Sequence, residues 1–258
     1  QYRAKDYSTH FKKFFDLIEY LEKNLRGAVN GTVVFSNPVS DFLDKNRIQL
    51  KSLFVSDDYS LEIPEGEKGF LDFLADIEED TSQMNDEITA ISAGMETMSS
   101  GINECTEEIN RVQKSGGNGT AAFVRKQSKK AASYISEFSK QLKQHTESIQ
   151  SLWAKIEKNT LGLLENEYAT KPENKESLTD YIKALHKMML SIKEANQSVT
   201  VMKETSLNNL GIERSMNQSI RFLDQDLSEY LDMTEQMVKS IERIIGKSRF
   251  IIGDVPLE

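Results

Sequence analysis

The 258-residue sequence contains one cysteine, four prolines and one tryptophan, and these shortages exclude several classes of structure. A single cysteine, Cys105, excludes an intramolecular disulfide and favours a reducing compartment, so we expect a cytoplasmic protein. Few prolines leave long stretches in which a helix can continue without interruption. No uninterrupted apolar run is longer than four residues, which predicts that these residues include no transmembrane segment.

Motifs for common catalytic and cofactor sites are absent as well. The sequence has no HExxH, no GxSxG, no CxxC and no Walker-type phosphate loop. No glutamate precedes a histidine by three residues, which excludes the Glu-x-x-His pairs of di-iron bundles. We therefore expect no cofactor, no metal site and no catalytic activity. A formal net charge of −9 also argues against a nucleic-acid partner, whose recognition needs a strongly basic face.

The sequence does contain a regular apolar pattern. From residue 77 to residue 112 apolar side chains recur in alternating steps of four and three, which is the a/d pattern of a heptad repeat. A second heptad pattern covers residues 124–163, and the glycines of SGGNGT, residues 115–120, lie between the two. Glycine accepts the left-handed backbone that ends a helix, so we expect an antiparallel helical hairpin with a short turn.

Two further heptad patterns, at 178–202 and 216–244, predict either two more helices or one long helix. The heptad phase continues across the gap through Ser206, Asn209 and Glu213, which suits a single helix. The string LNNLG, residues 207–211, is instead typical of a helix end. A break there gives four helices of similar length, as a bundle requires, and the sequence favours this reading.

Together these patterns predict an all-α fold: an elongated antiparallel bundle of long, coiled-coil-like helices with a small N-terminal helical cap. The cap comprises residues 1–65, which are rich in phenylalanine and leucine. The bundle comprises residues 66–248, with helices at about 66–113, 121–165, 177–206 and 212–247. Residues 249–258 are predicted to form a C-terminal tail. It ends on Leu257 and Glu258, which resemble a cloning remnant, so we expect a piece excised from a larger protein.

Charge is distributed unevenly along the chain. Residues 57–108 contain sixteen Asp and Glu and one Lys, whereas residues 111–158 contain ten Lys and Arg and three Glu. Opposite charge favours the pairing of the first two helices. Four basic residues crowd into about one and a half turns of the second helix: Arg125, Lys126, Lys129 and Lys130. This basic cluster is a candidate surface for an acidic protein partner or for anionic headgroups, and the alternative is an ordinary solvated helix face.

Polar residues interrupt the second heptad pattern at three a or d positions: Ser128, His145 and Asn159. We interpret them as polar layers that set the helix register, with a pH-responsive or ligand-contacting His145 as the alternative. Cys105 occupies a d position of the first pattern. A small buried side chain is expected there, and a redox role is the alternative.

The sequence therefore favours a non-catalytic domain for protein–protein interaction or signal relay, with a protein partner or self-association. The alternative is a membrane-acting protein of the α-helical pore-forming type. Such a protein would need an inserting hairpin of membrane-spanning character, and the sequence contains none.

Overall fold

The computed structural model describes residues 65–115, 121–206 and 214–257. Of these residues 93% are helical and none forms a strand, and the helices pack against one another, which confirms the all-α bundle. Four α-helices account for almost all of them: α1 (Glu65–Lys114), α2 (Ala121–Glu165), α3 (Lys175–Ser206) and α4 (Arg214–Ile252), with a short 3₁₀ helix at Pro172–Asn174. The predicted N-terminal cap and the glycine turn lie outside the described residues.

The heptad patterns mark the core of these helices. In α1 every a and d position from Ile77 to Ile109 is buried, and Val112 is half-buried. The described apolar positions of the other three patterns are buried too: Ala131, Ile135, Phe138, Leu142, Ile149, Leu152, Ile156 and Leu163 in α2; Leu178, Tyr181, Leu185, Met188 and Ile192 in α3; Ile220, Leu223, Leu227, Tyr230, Met237, Ile241 and Ile244 in α4. Each buried Leu, Ile or Met contributes about 1.5–3 kcal/mol, so these faces hold the bundle together.

Between residues 175 and 252 the structure describes two helices, one on each side of residues 207–213, and the predicted break at 207–211 lies outside the described residues. Asn196 and Thr234 are hydrogen-bonded, and Lys193 pairs with Glu242, so α3 and α4 run antiparallel. The last helix is longer than predicted, because residues 249–252 continue it instead of belonging to the tail. It ends where Gly253 adopts a positive φ of 81° and donates its backbone N–H to the carbonyl of Arg249. Glycine with a positive φ is a common end of an α-helix, and Gly253 is the sequence feature that indicates this end.

The described residues of 88–147 and 194–234 form one compact unit. Within it α1 and α2 are antiparallel, since Gly101 lies against Tyr134 and Gly94 against Phe138. In contrast, α2 and α4 are parallel. The hydroxyls of Ser136 and Ser219 lie 2.8 Å apart. Farther along both helices, the Ser139 hydroxyl donates a hydrogen bond to the Asp226 carboxylate.

The described residues of 65–87, 148–193 and 235–258 form a second compact unit. Its core contains Trp153, whose indole N–H donates to the Ser240 hydroxyl at 3.1 Å, and a 2.5 Å bond between the hydroxyls of Thr160 and Tyr181. Asn166 organises the turn after α2: its Oδ1 accepts backbone N–H groups of the turn, and its Nδ2 donates to the Gly66 carbonyl at 3.0 Å. The start of α1 is thereby tied to the end of α2.

Aromatic rings lie directly on helical glycines at several α1–α2 contacts. A Cβ on Gly101 would stand 2.6 Å from ring carbons of Tyr134, and one on Gly162 would stand 2.8 Å from the Phe73 ring. Glycine costs about 1 kcal/mol relative to alanine inside a helix. At these two positions the ring occupies the space that a side chain would need, so close packing accounts for the glycine.

A second buried stripe on α2 was not predicted from the sequence. Its members are spaced by seven residues at the e positions of the heptad: Ala132, Ser139, Thr146, Trp153 and Thr160. Two of them meet buried or half-buried g positions of α4, because Ser139 contacts Asp226 and Trp153 contacts Ser240. Helix α2 therefore packs against α1, α3 and α4, whereas an a/d pattern alone describes one narrow seam.

Candidate interaction surface

The basic cluster lies on the solvent-facing side of α2. Arg125, Lys126, Lys129 and Lys130 are all exposed, whereas Gln127 and Ser128 on the same turns are buried. For Lys126, Lys129 and Lys130 the helical period produces this separation, because they occupy f, b and c positions, which point away from the buried a and d positions. Arg125 occupies an e position at the start of the helix and is exposed as well.

Most of this positive charge has no partner within the described chain. Lys130 Nζ lies 3.8 Å from the Glu104 carboxylate of α1, and both side chains are at least half exposed. No described acidic residue pairs with Arg125, Lys126 or Lys129. Exposed pairs such as Lys130–Glu104 contribute only about 0–1 kcal/mol to stability, so the cluster is not explained by the fold.

Helix α1 carries a complementary acidic stripe formed by Asp72, Asp76, Glu79 and Asp86. All four side chains are exposed, and they occupy c and f positions on one side of the helix. Among the described residues none of them has an ion-pair partner. The sequence shows an excess of acidic residues in this region, but the charge count alone does not indicate that four of them share one side of a helix. Their c and f spacing, relative to the buried a and d positions, is what indicates it.

The polar residues of the second heptad pattern do not share one environment. Ser128 is fully buried and its Oγ accepts and donates no hydrogen bond, whereas His145 and Asn159 are half-buried. That the three residues set the helix register stays a prediction. His145 and Asn159 border the core, and no direct contact among the three is seen in the described structure.

Cys105 lies wholly inside the core of its unit. Its exposed fraction is 0%, and burial raises the pKa of the thiol, an effect that the nearby Lys130 only partly opposes. A raised pKa keeps the sulfur protonated and weakly nucleophilic at neutral pH. The environment is that of a small apolar side chain, as the d position predicts.

Buried groups with raised pKa values lie away from the basic cluster. Burial raises the pKa of Tyr230 to about 12 and that of Tyr181 further, and Thr160 bonds the Tyr181 hydroxyl. Burial also raises the pKa of Asp80, which Lys155 opposes. Both tyrosines therefore remain neutral at pH 7, and the charges of Asp76 and Glu79 add to the effect of burial on Asp80.

Other kinds of site find no support in the described residues. No group of three or more His, Cys, Asp or Glu side chains among them is arranged to hold a metal ion. No described helix has the length and apolar character needed to cross a membrane. Comparison with protein-family models, curated proteins and solved structures gives no match for this chain. Its function is therefore argued from its own surface.

Proposed function

We propose that this chain is a non-catalytic interaction domain, of the scaffold or signal-relay type, that acts in the cytoplasm and binds an acidic protein surface through the basic cluster. The observation that supports the proposal is the set of three exposed basic side chains, Arg125, Lys126 and Lys129, that pair with no described residue. Coiled-coil packing of the heptad positions would give the cluster a rigid helical support.

A protein partner is favoured over a membrane because the described apolar surface is sparse. Large exposed apolar residues in the described chain are Leu190, Phe222, Phe250 and Ile251, and only the last two are adjacent. Membrane-surface helices combine basic residues with a continuous apolar face that enters the lipid. The helix that carries the basic cluster has its apolar face buried in the bundle.

The proposal is tested by binding of a fluorescein-labelled oligoglutamate peptide, measured by fluorescence anisotropy. Changing Arg125, Lys126, Lys129 and Lys130 to Glu should lower the affinity at least about tenfold at about 0.1 M salt. A matched control changes Lys158, Lys187, Arg221 and Lys239 to Glu. These side chains are also exposed, and no described residue forms an ion pair with them. The control should retain affinity within about threefold.

Equal losses in both variants would show that only net charge matters, and the proposal would then fail. Absence of peptide binding by the unmodified chain would also reject it. Flotation with phosphatidylserine vesicles provides the membrane arm of the experiment. Vesicle binding without peptide binding would favour the membrane-acting alternative.

A further inference from the structure

We infer that the acidic surface recognised by the basic cluster is the acidic stripe of a second copy of this chain. The protein would then associate with itself through the outward faces of α1 and α2. This inference rests on the proposed function, because it uses the same basic cluster and adds the identity of the partner. Two observations support it: unused charge and matching spacing.

Helices α1 and α2 are neighbours of opposite charge, yet they use little of that charge on each other. The described α1–α2 ion pair joins Lys130 to Glu104 at 3.8 Å. Helix α4, in contrast, forms three pairs with its neighbours, at 2.9, 3.4 and 2.5 Å. The complementary charges of α1 and α2 therefore remain available for contact with another molecule.

The two surfaces match in spacing. Lys126 and Lys130 are four residues apart, as are Asp72 and Asp76; Lys129 lies between the two lysines, whereas Glu79 follows Asp76 by three residues. The basic cluster covers about 7 Å of helix, and the part of the acidic stripe from Asp72 to Glu79 covers about 10 Å, at a rise of 1.5 Å per residue. Two helices placed side by side can therefore pair both lysines with both aspartates at once, each contact worth about 0–1 kcal/mol.

Such a contact joins two different surfaces, and each copy presents both of them. Copies can therefore pair reciprocally, with two contacts per dimer, or add head to tail. The formal net charge of −9 opposes association over long distances. At about 0.1 M salt this repulsion is screened beyond about 10 Å, while charges in direct contact still attract each other.

Sedimentation velocity across a concentration series tests the inference. At about 0.1 M salt the unmodified chain should form species larger than the monomer, and these should disappear towards about 1 M salt. Two reversed variants dissect the contact. One changes Arg125, Lys126, Lys129 and Lys130 to Glu, and the other changes Asp72, Asp76 and Glu79 to Lys. Each variant alone should be monomeric.

Mixing the two reversed variants provides the decisive measurement. The mixture retains one intact basic cluster and one intact acidic stripe, on different molecules. It should therefore associate again, and the two reversed surfaces, which are also of opposite charge, should add to this association. A control that changes Glu229, Asp232 and Glu235 of α4 to Lys makes the same change in charge at other exposed positions. This control should associate within about threefold of the unmodified chain.

Monomeric behaviour of the unmodified chain under all conditions would overturn the inference. Failure of the mixed variants to pair, with far-UV circular dichroism showing that both are folded, would do the same. An equal effect of the α4 control would mean that net charge alone governs association. If oligoglutamate still binds the basic cluster in any of these cases, the proposed function stands and only the identity of the partner is wrong.

Discussion

Gly101 illustrates how a missing side chain contributes to packing. A Cβ at this position would meet the Tyr134 ring at 2.6 Å, so Gly101→Ala must displace the ring or the backbone. We expect a loss of about 1–3 kcal/mol in the free energy of unfolding, the range typical of overpacked cores. Urea denaturation checks this, and adding Tyr134→Ala should recover part of the loss.

Gly246 serves as the matched control for Gly101. It lies inside α4 with no neighbouring atom within 4 Å of a built Cβ. Gly246→Ala should therefore raise stability by about 0.5–1 kcal/mol, because alanine has the higher helix propensity and restricts the unfolded chain. If Gly101→Ala and Gly246→Ala both lower the free energy of unfolding, the loss at Gly101 is caused by a change in the helix backbone and not by the contact with the Tyr134 ring.

Thr81 and Thr160 are equally buried, yet their hydroxyls differ in bonding. Thr81 Oγ1 has no hydrogen-bond partner, whereas Thr160 Oγ1 bonds the buried hydroxyl of Tyr181 at 2.5 Å. Thr81→Val should raise the free energy of unfolding by about 1 kcal/mol, because it removes an unsatisfied buried group. Thr160→Val should lower it by about 1 kcal/mol, since the hydrogen bond to the Tyr181 hydroxyl is lost. Thermal or urea denaturation of both variants compares them, and equal shifts would contradict this assignment.

Asp80 should make stability depend on pH in an unusual direction. Burial raises its pKa above the unfolded value of about 3.9, so between the two values the native state binds more protons than the unfolded state. Stability should therefore fall as pH rises through this range. Asp80→Asn removes the buried charge. It should raise the Tm by more at pH 7 than at a pH below about 3.9, where the Asp80 carboxyl is protonated in both the native and the unfolded state. Asp72→Asn, at an exposed position of the same helix that does not contribute to the raised pKa of Asp80, should show no such pH-dependent gain.

The helices as elements were largely predictable from sequence. The a and d positions of α1 are buried because a heptad repeat places them on one face, and this depends only on spacing. The e stripe of α2 was not predictable in the same way. Ser139 and Thr160 are polar, and sequence alone cannot show that each has a hydrogen-bond partner on another helix. Their seven-residue spacing is visible, but spacing of small polar residues is also common on solvated faces.

Trp153 can report the docking of α4 on α2. It is the only tryptophan, is 5% exposed, and donates its indole N–H to Ser240. Ser240→Ala should change the emission spectrum and lower stability by about 1 kcal/mol, the usual net value of one hydrogen bond. Ser248→Ala is the control, because the buried Ser248 hydroxyl donates to Ile245 within its own helix. An unchanged spectrum for Ser240→Ala would contradict the contact.

At the scale of the whole molecule, helix content is the first quantity to measure. The four α-helices contain 50, 45, 32 and 39 residues, which is nearly two thirds of the 258-residue chain. Far-UV circular dichroism should therefore give at least this helical fraction, about twice the average of globular proteins. A fraction below one half would contradict the four-helix bundle.

The candidate surface was predictable only in part. Sequence placed Arg125, Lys126, Lys129 and Lys130 at or near outward heptad positions, and the structure finds them exposed. The sequence could not show that the described acidic residues of α1 form an ion pair with Lys130 alone among these four. Ion pairing depends on how two neighbouring helices are rotated and staggered, which charge composition does not specify.

The parallel pairing of α2 with α4 also determines the order in which the chain can fold. Helices α1 and α2 are neighbours in the sequence, so their contacts can form progressively, beginning near the Glu104–Lys130 pair. Between α2 and α4, the hydrogen bonds of Ser139 and Trp153 join residues 87 positions apart, and no pair near a shared turn can form first. Closing so long a loop is entropically costly until α3 has folded back and brought the ends together. Helix α4 should consequently dock last, and burial of Trp153 should coincide with the slowest folding step.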